Sequence, residues 1–139
     1  KQAAVRQKFL DIIERAPTHD YSVKGLFVVF SAFAPLAKEE ADAQIQDSEI
    51  ESLQRDLGNP DIWCISRSFG RVTILFFTLD QAKQYEAQGK KAEYARRYFK
   101  LLKPHDEFGY LKEQEYMIDF DSKENFDKIY KGSWFNYNR

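Results

Sequence analysis

The chain has few of the residue types that staple, wire or power small proteins. A single cysteine, Cys64, rules out an internal disulfide and a multi-cysteine zinc site. Only two histidines are present, His19 and His105, far apart in sequence. The six glycines form no phosphate-cradling loop, and there is no Gly-x-Ser-x-Gly elbow and no His-Glu-x-x-His helix. The longest apolar run, Leu26 to Phe30 with Gly25 before it, is far short of the ~20 residues that span a bilayer as a helix. Neither charge dominates. With 21 Lys+Arg against 22 Asp+Glu the net charge is −1, which argues against a protein held to nucleic acid by bulk charge. No repeat, linker or low-complexity tract interrupts the 139 residues, so one domain over 1–139 is expected. No cofactor, metal or catalytic constellation is expected.

What is abundant is apolar and aromatic material: 43% of residues are hydrophobic and 16% aromatic, enough for a packed core. Val5, Phe9, Ile12, Ile13 and Ala16 recur at helical spacing before Pro17. Residues 21–33 are β-branched and aromatic on both faces and read as a covered central strand. Residues 36–57 read as one helix after Pro35, ended by Gly58, Asn59 and Pro60. Two strands, 61–67 and 71–78, flank Ser68-Phe69-Gly70, where Gly70 supplies the positive φ of a tight hairpin. Thr78 and Gln81 form a capping box for a helix over 79–103, continuous through Gly89 because that residue keeps the apolar phase. Tyr116, Ile118 and Phe120 mark a short strand. Asp121 and Glu124 read as a second capping box before a short helix, and residues 134–137 as a last strand. The expected fold is α+β in the order αβαββαβαβ, with a mixed or antiparallel sheet of about five strands packed by helices.

Most motif-like stretches have a plainer explanation. Asp119-Phe120-Asp121 fails the calcium-loop pattern at Lys123, Glu124 and Tyr130. Residues 24–30 fall one residue short of the RNA-recognition signature, and a one-residue slip turns the later side chains to the opposite face. Cys64, between Trp63 and Ile65, reads as a buried, inert thiol. His19-Asp20 and His105-Asp106 follow prolines and read as turns. If the two loops met, they would supply metal ligands or the proton-transfer groups of a small enzyme. Arg67 and Arg71 flank the hairpin and offer an anion clamp, against the simpler reading of exposed turn residues.

Charge is distributed unevenly. Segment 36–62 carries two cations against eight anions, and segment 83–103 seven cations against two anions. Asp42, Asp47, Glu49 and Glu51 on the acidic segment are the candidate partner-binding residues, for a basic protein such as a toxin. The basic segment 83–103 gives a nucleic-acid reading as an alternative. In size, aromatic content and acidic helix the chain resembles, in type and without a shared motif, small bacterial immunity proteins and antitoxins. That resemblance implies a non-catalytic protein that masks a partner. The cytoplasm is the default compartment, and export stays open because residue 1 is Lys and not Met.

Overall fold

The computed structural model describes residues 2–16, 23–26 and 33–139. Two compact units divide the chain, Lys1–Ala32 and Phe33–Arg139. In the first, helix α1 (Gln2–Arg15) forms where the apolar stripe requires it, with Val5, Phe9 and Ile12 on an exposed face. A turn at 23–26 follows, in which Leu26 N–H donates to Val23 O at 3.2 Å and Gly25 takes φ +77°. Arg6 Nε donates to the Leu26 carbonyl and ties this turn to α1. The strand expected over 21–33 therefore meets a turn at its start and a helix at Phe33. Past Leu26 its apolar run, with Phe27 and Val29, lies outside the described residues, as do His19 and Asp20.

The second unit is α+β, built from helices α2 (Phe33–Ala43) and α3 (Asp47–Leu57), strands β1 (Ile62–Ser68) and β2 (Arg71–Phe76), helices α4 (Leu79–Ala87) and α5 (Lys90–Leu102), strand β3 (Asp119–Ser122), and helices α6 (Lys123–Tyr130) and α7 (Trp134–Tyr137). Short 3₁₀ turns occupy 103–105 and 113–115. Among the described residues the sheet is mixed and three-stranded, not five-stranded. Its order is β1-β2-β3, with β1 antiparallel and β3 parallel to β2. The parallel pairing needs a long crossover, and α4 and α5 supply it. No helix among the described residues is long and apolar enough to cross a membrane.

Register decides which face is core. Ile65, Val72, Ile74, Phe76 and Phe120 share one face and pack with Ala41, Ile45, Tyr94, Tyr98 and Leu102 of the helices. Full burial of a side chain such as Phe76 or Ile74 contributes roughly 1.5–3 kcal/mol. The other face carries Ser66, Ser68, Arg71, Thr73, Asp119 and Asp121. A bulge between Ile62 and Cys64 sets Trp63 against Phe126 and Trp134, so α6 and α7 cover one end of this polar face.

The local stop and start signals hold where they are chemical. Thr78 accepts from Gln81 N–H while Gln81 Oε1 accepts from Thr78 N–H. Gly58 ends α3 in the left-handed region at φ +60°. Several expected features differ, among them the strand marked by Tyr116, Ile118 and Phe120, which forms only over Asp119–Ser122. The helix over 36–57 breaks at 44–46. Ile45 and Ile50 are both buried but five residues apart, a phase slip that the break removes. Gln46 N–H then donates to Glu49 Oε2 at 2.9 Å and starts α3 afresh. The capping box expected at Asp121 and Glu124 is displaced by one residue. Ser122 Oγ accepts from Asn125 N–H, and Glu124 instead accepts the Leu79 N–H of α4. The last strand is helix α7, because Trp134 and Tyr137 are one turn apart and both pack on Phe126.

The helix over 79–103 also breaks, at Gln88 and Gly89. Gly89 keeps the apolar phase in sequence but adopts φ +72° with open space around it. Gly89→Ala is therefore expected to lower stability by about 1 kcal/mol in a thermal melt, the cost of a Cβ in the left-handed region. A gain in stability would mean that α4 and α5 form one continuous helix in solution.

Candidate functional site

The β1–β2 hairpin turns in two residues. Ser68 pairs with Arg71, and Phe69 and Gly70 between them have φ +50° and +68°. Two consecutive left-handed residues make a type I′ turn, whose first position suits Asn, Asp or Gly. Phenylalanine there works against its own backbone by ~1–2 kcal/mol. Nor does its ring gain burial in return, being 77% exposed. Gly70 is buried beneath it. A Cβ at Gly70 would lie 3.8 Å from the Glu39 backbone, so the hairpin tip sits directly on α2.

Arg67 holds the neighbouring elbow between α2 and α3. Its guanidinium donates to the carbonyls of Asp42 (2.9 Å) and Ile45 (3.1 Å) at the helix break, and to Asp47 Oδ1 (3.0 Å). Asp42 Oδ2 lies 3.9 Å away. Asp42 is buried and its Oδ1 accepts a hydrogen bond from the Tyr98 hydroxyl. Burial first, and then the Asp42 carboxylate, push the Tyr98 phenol far above its ordinary pKa, so the proton stays on the tyrosine. Around this elbow, Glu39, Asp42 and Asp47 face a single cation, Arg67, in a shallow cleft that also includes Phe69. An exposed aromatic thus stands at the edge of an anionic surface.

Comparison with known protein families, curated proteins and solved structures finds no match.

The four acidic candidates do not form one face. Asp42 is a core group, whereas Asp47 is exposed beside the hairpin and paired to Arg67. Glu49 caps the start of α3, and Glu51 lies in a separate cleft with Gln54 and Arg55. The elbow at 44–46 is the reason, since it rotates Asp42 out of register with residues 47–51. The oppositely charged segments do not pair either. Among the described residues no ion pair joins 36–62 to 83–103, and the polar link between α3 and α5 is Arg97 donating to the Asp56 carbonyl. In α5, Lys90, Lys91 and Arg97 are matched locally by Glu93 and Glu86.

The hairpin arginines lie on opposite faces. Arg67 pairs in register with Val72 toward the core and Arg71 with Ser68 toward the polar face, where it bonds Asp119 at 3.1 Å. They form no clamp. Asp106 is a turn residue. Burial alone would raise its pKa, yet the Lys103 ammonium and the N–H groups of Leu111 and Tyr110 hold it below the ordinary value. Cys64 is half-buried, and desolvation pushes its thiol up to about 11, away from the reactive thiolate.

The turn is legible in the sequence at Ser68-Phe69-Gly70, but the exposure of its aromatic ring is not. The signal was the dipeptide Phe-Gly where a two-residue hairpin ordinarily carries Asn-Gly. Glu39 escaped for a different reason, since only the docking of the hairpin on α2 brings it to Phe69.

Proposed function

We propose that this chain is a non-catalytic protein-binding module of the immunity or antitoxin kind, and that it masks a basic partner through the hairpin tip and the acidic rim beside it. Phe69 is the anchor, with Glu39 and Asp47 as the charged rim. The observation that carries the reading is a large aromatic side chain held exposed on a left-handed backbone. Such a residue costs folding energy and returns none within the chain, which points to a use outside it. Aromatic anchors that become buried on binding are the usual energetic centre of protein interfaces, and acidic groups at the rim speed encounter with a partner of opposite charge.

The test separates stability from binding. Phe69→Asn is expected to raise the unfolding free energy by about 1 kcal/mol, because Asn tolerates the left-handed region and suits the turn. The same variant is expected to lose binding to a basic protein that co-purifies with the parent chain, measured by pull-down and size exclusion. Asp47→Lys is expected to slow association and flatten its salt dependence. A Phe69→Asn variant that is destabilised would make the ring a structural element. One that binds as tightly as the parent would sink the reading.

A further inference from the structure

On the other side of the hairpin tip from the acidic elbow, a cleft of about 390 Å³ opens between the first turns of α2 and the loop that follows α5. Phe69, Tyr110 and Tyr116 give it aromatic walls, and Lys38, Arg71 and Lys112 give it cations. Two of the three cations are already matched: Arg71 by Asp119 at 3.1 Å and Lys112 by Glu115 at 3.0 Å. Lys38 is the exception. Its ammonium is half-buried and lies 4.9 Å from the centre of the Tyr116 ring, and among the described residues no carboxylate comes within ion-pair distance. The charge count therefore leaves one uncompensated positive charge against aromatic walls. The positive end of the α2 dipole lies on the same side.

We infer that this cleft is a binding site for a small aromatic monocarboxylate, whose carboxylate pairs with Lys38 and whose ring packs against Phe69, Tyr110 and Tyr116. One unmatched ammonium fits a monoanion and leaves a dianion such as phosphate half-compensated. The volume falls at the small end of the range for small-molecule sites, ~300–1,000 Å³. Desolvation pulls the Lys38 pKa below the ordinary lysine value, with Asp42 and Asp119 opposing at longer range and Arg71 reinforcing it. A bound carboxylate would remove that penalty, because a desolvated charge gains most from a direct partner. The inference shares Phe69 with the protein-partner reading but stands on Lys38 and the opposite side of the hairpin tip, where neither Glu39 nor Asp47 takes part.

The probes are phenylacetate and its neutral twin phenylacetamide, titrated into the whole chain by calorimetry and by NMR of the aromatic side chains. Phenylacetate is expected to bind saturably, shifting the rings of Tyr110, Tyr116 and Phe69. Phenylacetamide is expected to bind about tenfold more weakly or not at all, the scale of one charge-assisted contact. Lys38→Met, which keeps the aliphatic stem, is expected to abolish the preference for the acid, while Lys83→Met, on α4, leaves it intact. If Lys38→Met fails to fold, the acid-to-amide ratio and the ring shifts in the parent chain decide alone. Equal binding of acid and amide, shifts confined to other rings, or no saturable binding at millimolar probe would each overturn the site.

Discussion

Asp42→Ala is expected to destabilise the chain by about 3–5 kcal/mol, the cost of removing one member of a buried charged network. Asp42 is 7% exposed, and its carboxylate is the acceptor for the hydroxyl of Tyr98, which is fully buried. Alanine leaves that hydroxyl without a partner. It also leaves the Arg67 guanidinium, itself mostly buried, without one of its two nearby carboxylates. The loss is large against the ~5–15 kcal/mol of a typical domain. Urea denaturation should show a lower midpoint at unchanged slope, because the folded surface is the same. Asp42→Asn is the informative companion. Its amide oxygen still accepts from Tyr98 but offers Arg67 no charge, so a smaller loss is expected. Equal losses in the two variants would place the whole effect on the charge. A cost below ~1 kcal/mol for alanine, the scale of a surface pair, would show that water reaches Tyr98 and Arg67 and takes the place of the carboxylate.

Phe126→Ala is expected to cost about 3–5 kcal/mol and to change tryptophan emission at the same time. Phe126 is buried between Trp63 (5.5 Å between ring centres), Trp134 (4.3 Å) and Tyr137 (5.6 Å). Its ring joins β1, α6 and α7. Helix α7 is only four residues long, too short to persist on propensity, and it is held by this packing and by the Tyr137 hydroxyl, which donates to Asp121 at 2.8 Å. Trp63 and Trp134 are the only tryptophans in the chain, and they stack on each other at 5.9 Å. Fluorescence thus reports on this cluster. The variant should show red-shifted emission already in buffer, with the far-ultraviolet circular dichroism of the remaining helices largely retained. Unshifted emission would mean that the two tryptophans hold each other without Phe126.

The features legible in the sequence are those set by a few neighbouring residues. Thr78 and Gln81 cap α4 because their side chains reach backbone groups three residues away, whatever the rest of the chain does. Gly58 and Gly70 take positive φ because they lack a Cβ. Strands β1 and β2 follow from β-branched and aromatic runs on either side of a two-residue turn. The acidic bias of 36–62 is plain composition. Each of these depends on local chemistry that the surrounding fold leaves unchanged.

The tertiary structure decided everything that depends on phase, direction or burial. Periodicity alone ran α2 into α3 and α4 into α5. An apolar stripe with one slipped position, at Ile45 and Ile50, or with a glycine on it, at Gly89, fits a continuous helix about as well as a broken one. Core packing selects the break, because each half then buries its own face. Aromatic content made 134–137 resemble a strand, and packing on Phe126 makes it a helix, since intrinsic β preference is weaker than the burial it competes with. The same residue types carry opposite roles by position. Asp42 reads like Asp47 in the sequence, yet the elbow at 44–46 puts one in the core with Tyr98 and the other on the surface beside Phe69. Composition sets how many charges and rings a chain has. Their assignment to core, cap or exposed site requires the long-range contacts of Arg67, Tyr98 and Phe126, which join residues many positions apart and leave no local trace in the sequence.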